Sequence, residues 1–193
     1  MVASQIWDVA FEPGRSDVVA TCGGRYLCVI KLDTGELLLK YSHKDRNQDL
    51  YALSWSTLDC GNILASGSNL GEIRLYDMTR EVSFHHWNYK EKEKVAAVNA
   101  VQFHSGQPSW VLTGGGDSRV TLWDIGRPAP PLYTGTRHAP LLQLDSEGGD
   151  LYSLAWVPDT SWLMVGCVHG LVGWRICQEE KFPRRTPKRI EFA

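Results

Sequence analysis

The chain has 193 residues, a net charge of −2 at pH 7, 43% hydrophobic residues and 22% charged residues. This size and balance fit one globular domain or part of a larger one, and they argue against a disordered chain. The charge gives no global attraction to nucleic acid or to a membrane surface, and no apolar run approaches the ~20 residues of a membrane span.

The sequence contains four copies of one strand pattern. Each copy begins with a short alternating run that ends in an aromatic residue, at Phe11, Trp55, Phe103 and Trp156. A second apolar run with a glycine follows, at residues 18–23, 63–67, 110–114 and 162–166. A third run closes on Ile30, Tyr76, Trp123 and Trp174, so these closing positions recur at intervals of 46, 47 and 51 residues. Short alternating runs separated by glycine turns predict an all-β fold.

A fourth strand is predicted between successive copies. The candidates are residues 36–41, residues 82–87 and, in the third copy, either 132–134 or 141–144. Four strands per unit at this period are typical of β-propeller blades. We therefore predict four repeats at approximately 5–42, 43–88, 95–134 and 138–193. Residues 91–94 are helix formers without an apolar stripe, and we predict a solvated loop there.

Cysteine usage and the start of the chain bear on the cellular compartment. The five cysteines are an odd number and contain no CxxC pair, which favours reduced thiols in the cytosol or nucleus. Residues 1–11 lack the charged region and apolar core of a secretory signal.

No motif predicts catalysis, so we expect no enzyme activity, no catalytic residue, no cofactor and no small-molecule substrate. Residues 114–116 are three glycines, but no lysine and no helix follow them, which disfavours a phosphate loop. His85 and His86 are adjacent on a predicted outer strand and would point to opposite faces. No metal site is predicted, because both imidazoles cannot easily reach one ion.

One dense basic cluster stands near the C-terminus, with Arg184, Arg185, Lys188 and Arg189 around a Thr-Pro step. Such a cluster contacts phosphate backbones or serves as a nuclear import signal. The alternative is a solvated turn before a last strand at residues 190–192. We favour this alternative, because a six-residue basic run is a weak motif. Direct contact with nucleic acid stays open.

Aromatic residues also occur at the predicted start of the innermost strand of each blade. Four residues before each strand-ending aromatic stand Trp7, Tyr51, Asn99 and Tyr152. The strand-ending aromatics are predicted to fill the core between blades, so the aromatics at the strand starts are left on the rim. Clustered aromatic faces bind quaternary ammonium groups by cation–π attraction, as in methyl-lysine cages. The alternative is ordinary rim packing, and composition alone favours it.

Two strings resemble the WD-repeat family closely, namely "SGSNLGEIRLYD" from residue 66 and "TGGGDSRVTLWD" from residue 113. The resemblance implies that Thr113, Asp117 and Trp123 belong to the structural hydrogen-bond network of that family. The usual histidine has no clear match before the third blade. Leu70 and Val168 replace the turn aspartate in the second and fourth blades, so a partial network is expected.

A narrower resemblance covers residues 5–192. The strings "QIWDVAFEPGRSDVVATCGG", "LYALSWSTL", "VTLWDIGRP" and "RRTPKRIEFA" look like the leucine-rich repeat and WD repeat-containing family that associates with the origin recognition complex. A more distant likeness is to the embryonic ectoderm development family of the polycomb repressive complex, whose trimethyl-lysine cage positions match Trp7 and Tyr51. The resemblance implies a nuclear, chromatin-associated, non-catalytic reader and scaffold, whose partners are origin recognition complex subunits and a methylated histone tail.

A generic WD-repeat scaffold, such as a ubiquitin-ligase substrate receptor, is the alternative. Those receptors usually carry W-D-x-R, whereas the strings at residues 123–126 and 76–79 lack the arginine. WD-repeat propellers usually close with about seven blades. The sequence therefore predicts a partial propeller of about four blades. Unless the four blades close on themselves, this arc leaves two apolar faces uncovered and associates readily.

Overall fold

The computed structural model describes residues 5–56, 63–79, 82–88, 90–91, 94–107, 109–126, 140–157, 160, 162–176 and 189–192. All of its regular elements are strands, which form four antiparallel four-stranded sheets and one small ribbon. Each sheet is a meander in which every strand is hydrogen-bonded to the next along the chain. The predicted all-β fold with four blades is confirmed. The described part of the chain contains no helix of the length and hydropathy needed to cross a membrane.

The first unit spans Met1–Val98 and contains two sheets. Its first sheet consists of β1 (Asp8–Phe11), β2 (Val18–Gly23), β3 (Tyr26–Lys31) and β4 (Glu36–Ser42). The second consists of β5 (Leu50–Trp55), β6 (Ile63–Ser68), β7 (Glu72–Asp77) and β8 (Val82–Asn88). A short ribbon follows, formed by β9 (Lys90–Glu91) and β10 (Lys94–Val95). Two-residue strands therefore stand at the ends of the segment predicted as loop.

The second unit spans Asn99–Ala193 and also contains two sheets. The first is built from β11 (Val98–Phe103), β12 (Trp110–Gly115), β13 (Arg119–Asp124) and β14 (Pro140–Asp145). The second is built from β15 (Leu151–Trp156), β16 (Trp162–Cys167), β17 (Gly170–Arg175) and β18 (Arg189–Phe192).

The third sheet resolves the alternative for its fourth strand. Its outer strand is β14, which pairs with β13 from Arg119 opposite Asp145 to Trp123 opposite Pro140. The predicted repeat boundaries placed this segment in 138–193, so the third repeat extends beyond residue 134. Leu144 points into the core of this unit and is almost fully buried, which explains why this apolar run closes the sheet.

Each unit has a core between its own two sheets. In the first unit, alternate residues of β2 and β3, among them Leu27 and Val29, form one buried cluster with residues of the second sheet such as Trp55 and Leu64. In the second unit a corresponding cluster includes Leu112 and Trp174. Burying a side chain of this size stabilises the folded state by about 1.5–3 kcal/mol, so these inward rows are the main stabilising contribution.

The prediction that all four strand-ending aromatics are buried is wrong at Phe11. Trp55, Phe103 and Trp156 are 5%, 4% and 4% exposed, whereas Phe11 is 60% exposed. The strand pattern determines the face to which such a residue points, but burial requires a second sheet on that face. Among the described residues no sheet covers Phe11 and its neighbour Val9, which is also exposed.

Candidate binding site

Trp7 and Tyr51 meet at one corner of the first unit. Trp7 immediately precedes β1, and Tyr51 is the second residue of β5. Their ring centroids lie 5.3 Å apart and their planes are inclined at 68°. Trp7 is 49% exposed and Tyr51 is half-buried. The structure thus brings two of the three predicted cage residues into one edge-to-face pair that is open to solvent.

The backbone around Trp7 is held against β2. The Trp7 amide donates a hydrogen bond of 2.8 Å to the Cys22 carbonyl oxygen. The Gln5 and Ile6 backbone passes directly over Gly23, where a Cβ atom would overlap the Gln5 carbonyl oxygen. Glycine at position 23 is therefore what allows this segment to lie on the sheet and to present the indole at the rim.

Asp8 connects the two inner strands that carry the aromatic pair. Its carboxylate accepts a hydrogen bond from the Leu53 amide at 2.8 Å and another from the Val9 amide at 2.8 Å. The Trp55 indole N–H donates to the Ala10 carbonyl oxygen at 3.0 Å. These bonds fix β5 beside β1 and so place Tyr51 against Trp7. Sequence reasoning missed Asp8, although a carboxylate within an otherwise apolar inner strand was a visible signal.

Two aromatic faces inclined at 68° form two walls of a corner. The π-face of an indole or phenol attracts a cation, and this attraction is larger where water is excluded. Binding of a quaternary ammonium group at this corner stays a prediction.

Tyr152 lies in the second unit, where it is the second residue of β15 and 60% exposed. The other rim position in that unit is Asn99, whose side-chain amide donates 2.9 Å to the Leu151 carbonyl oxygen. An amide that ties two strands together thus replaces the aromatic of the first unit. The role of Tyr152 as a cage residue stays a prediction.

The WD-type network has different members in different sheets. In the third sheet the buried Trp123 indole N–H donates 2.8 Å to the Thr113 hydroxyl. Asp117 accepts a 3.2 Å hydrogen bond from the Arg119 amide in the turn between β12 and β13. In the second sheet a hydrogen bond of 3.1 Å joins the hydroxyls of Ser66 and Tyr76.

The second sheet also contains a polar cluster that the sequence did not reveal. The Arg74 Nε atom donates 2.6 Å to the Glu72 carboxylate, and His43 Nε2 lies 3.4 Å from the same oxygen. Arg74 also lies over the Tyr41 ring, 5.7 Å from its centroid. His43 lies in the loop between β4 and β5, and no sequence motif linked it to Glu72 or Arg74.

The side chains of the predicted basic cluster are not described by the structure. Arg184, Arg185 and Lys188 lie outside the described residues, and Arg189 is described only by its backbone pairing with Trp174. Within the described ranges, no group of three or more His, Cys, Asp or Glu side chains is placed to hold a metal ion.

Four consecutive antiparallel meanders, with a Trp–Thr hydrogen bond inside the third, define a WD-repeat protein. The family profile described as "Leucine-rich repeat and WD repeat-containing protein 1, WD domain" matches residues 1–189, and the chain belongs to that family. The predicted family membership is confirmed.

Curated relatives agree with this family. The leucine-rich repeat and WD repeat-containing protein 1 of Danio rerio is 31% identical over 98% of this chain and 26% of its own length. The protein of the same name from Homo sapiens is 29% identical over 98% of this chain and 30% of its length. The chain thus spans less than a third of these relatives. Polycomb protein esc of Musca domestica is 31% identical over 58% of this chain and 26% of its length, a weaker similarity.

Proposed function

We propose that this chain belongs to a non-catalytic, nuclear, chromatin-associated scaffold that reads a methylated histone tail and associates with the origin recognition complex. The observation that supports a reader is the Trp7–Tyr51 pair. The partner complex follows from the family resemblance, and so does a role in replication initiation and heterochromatin organisation.

The chemistry of the corner favours a methylated lysine over an unmethylated one. A lysine ammonium group is compact and strongly hydrated, and it donates three hydrogen bonds to water. Trimethylation removes these donors and spreads the charge over a larger, more weakly hydrated group. The aromatic faces of Trp7 and Tyr51 can then replace the water around the cation at a smaller desolvation cost.

The test is binding of trimethyl-lysine histone peptides to the full chain, measured beside the same peptides without methylation. Trp7→Ala should weaken trimethyl-lysine binding by about 1–2 kcal/mol, which is about 5- to 30-fold. Phe11→Ala is the matched control, because it removes another exposed aromatic four residues away and should leave affinity unchanged.

A neutral peptide analogue separates cation–π attraction from simple apolar contact. Replacing the trimethylammonium group by a tert-butyl group keeps its shape and removes the charge. The analogue should bind wild-type protein as weakly as the unmethylated peptide. Equal affinity for methylated and unmethylated peptides would contradict the reader proposal.

Partner recovery distinguishes the scaffold proposal from the ubiquitin-ligase alternative. Affinity purification of the tagged full chain from nuclear extract should recover origin recognition subunits. Recovery of cullin adaptors without those subunits would favour the substrate-receptor alternative instead.

A further inference from the structure

Two cations and a phenol converge at one end of the first sheet. Arg25 occupies the two-residue turn between β2 and β3, and Tyr26 begins β3. The Arg25 guanidinium donates 3.4 Å to the Tyr26 hydroxyl, and its carbon lies 5.3 Å from the ring centroid. The Lys40 ammonium lies over the same ring, 4.7 Å from its centroid.

The strand register explains this convergence. Tyr26 pairs with Ser42, and Cys28 pairs with Lys40. Directly opposite residues in an antiparallel pair share a face, so Lys40 is the diagonal neighbour of Tyr26, within reach of a long side chain. The Gly24 backbone has φ of +52°, which suits the tight turn that places Arg25 beside Tyr26.

The positive charge of this cluster is not compensated within the described part of the chain. Neither Arg25 nor Lys40 forms a salt bridge with a described carboxylate. The hydrogen bond from Arg25, and then the charges of Arg25 and Lys40, lower the pKa of the Tyr26 phenol. The cluster therefore presents a local positive potential on a protein whose net charge is −2.

We propose that Arg25, Tyr26 and Lys40 bind the phosphate group of a phosphorylated peptide. A guanidinium fork alone satisfies the two oxygens of a carboxylate. A guanidinium, an ammonium and a phenol supply hydrogen-bond donors for the three terminal oxygens of a phosphate monoester, which carries about −1.5 to −2 charges at pH 7. The site contains neither Trp7 nor Tyr51, although the Gly24 carbonyl oxygen in its turn accepts a hydrogen bond of 2.7 Å from the Leu50 amide beside Tyr51.

The surroundings favour a peptide over a nucleic acid backbone. Proteins that track duplex DNA neutralise a row of about 6–10 phosphates, whereas this cluster has two cations. Two cations beside one phenol match a single phosphate group better than they match a row of phosphates.

The test uses three degenerate peptide libraries with a fixed phosphoserine, phosphothreonine or phosphotyrosine, and their unphosphorylated counterparts. Binding to the full chain is followed by fluorescence anisotropy at 50 and 150 mM salt. At least one phosphorylated library should bind about tenfold or more tightly than its counterpart. Arg25→Gln should abolish that difference, and Lys40→Gln should reduce it severalfold. Tyr26→Phe, which removes one hydroxyl donor, should reduce it about twofold or more.

Matched variants separate the site from bulk charge and from the methyl-lysine corner. Lys31→Gln removes one positive charge at the far end of β3 and should change phosphopeptide affinity less than twofold. Trp7→Ala should also leave it unchanged, so failure of the reader proposal and failure of this one are distinguishable. If Arg25→Gln does not fold, the exposed Lys40→Gln and the isosteric Tyr26→Phe decide the question.

Three results would overturn the proposal. The first is equal affinity of every phosphorylated library and its counterpart. The second is an equal loss of affinity in Lys31→Gln and Lys40→Gln, which would indicate nonspecific charge. The third is a 20-base-pair duplex that binds more tightly than any phosphopeptide library and is lost in Arg25→Gln, which would identify a nucleic acid site.

Discussion

His104 is expected to make the stability of the second unit depend on pH. Its side chain is 1% exposed, and its ring centroid lies 4.1 Å from that of Trp156 and 5.5 Å from that of Trp110. Nδ1 accepts hydrogen bonds from the Gly106 amide at 2.9 Å and the Gln107 amide at 3.0 Å. The ring hydrogen therefore lies on Nε2, which has no hydrogen-bond partner among the described residues.

The sign of the effect follows from the pKa. Burial lowers the pKa of His104 below its ordinary value of 6.5. The unfolded chain binds a proton near pH 6.5, whereas the folded protein binds it only at lower pH. The free energy of unfolding is thus fully retained above pH 6.5. Below that value it falls by up to about 1.4 kcal/mol per pH unit, until the folded imidazole is protonated as well.

Two substitutions test this interpretation. His104→Gln retains an amide acceptor without titrating, so it should flatten the pH dependence below pH 6.5. His104→Ala removes the acceptor of two amides, at about 1 kcal/mol each, and an aromatic contact of about 1 kcal/mol. The expected loss at pH 7.5 is therefore about 2–4 kcal/mol.

The assay is urea unfolding of the full chain followed by tryptophan fluorescence at pH 7.5, 6.5 and 5.5. The matched control is His169→Gln, because His169 belongs to the same unit and is exposed. The control should retain the wild-type pH dependence. If His104→Gln shows the same decrease in stability from pH 7.5 to 5.5 as His169→Gln, the reasoning is refuted.

Two further substitutions and one chemical modification test other parts of the structure. Gly23→Ala should weaken trimethyl-lysine peptide binding without altering either ring, because the new Cβ displaces the backbone before Trp7; unchanged affinity in peptide titrations would contradict this. Thr113→Val should lower the free energy of unfolding by about 1–3 kcal/mol in urea titrations, since it removes the acceptor of the buried Trp123 indole. Burial raises the pKa of Cys22 to about 12, so iodoacetamide at pH 8.5 should leave Cys22 unmodified in folded protein and alkylate it in urea, as peptide mass spectrometry will show.

The repeat pattern predicted the strands well because strand formation here depends on local sequence. Alternating runs and glycine turns specify each hairpin within about 20 residues, and the fourfold repetition removes ambiguity. The exposure of Phe11 depends instead on a second sheet, which its own strand does not encode. The outer strand β14 was ambiguous for a related reason, since two apolar runs competed and only pairing with β13 selected Pro140–Asp145.

The candidate site was likewise predictable from the sequence only in part. The positions of Trp7 and Tyr51 followed from counting back from the strand-ending aromatics, and the structure places their rings in contact. The cluster of His43, Glu72 and Arg74 joins residues about 30 positions apart in the sequence. Such a contact depends on the path of the loop before β5, and neither residue spacing nor composition specifies that path.

The hydrogen bonds between inner strands connect the local strand pattern with the contacts that depend on the fold. In the first unit the Asp8 carboxylate accepts the Leu53 amide, and in the second the Gln102 side-chain carbonyl accepts the Trp156 amide at 2.7 Å. Each bond satisfies an amide on an inner strand that has a partner strand on only one side. Because the bond from Asp8 also fixes the strand that carries Tyr51, the rim corner depends on a side chain that does not belong to it. Asp8 is therefore a positioning residue for the corner. Its removal would separate the rings of Trp7 and Tyr51 while the apolar core of the first unit stays buried.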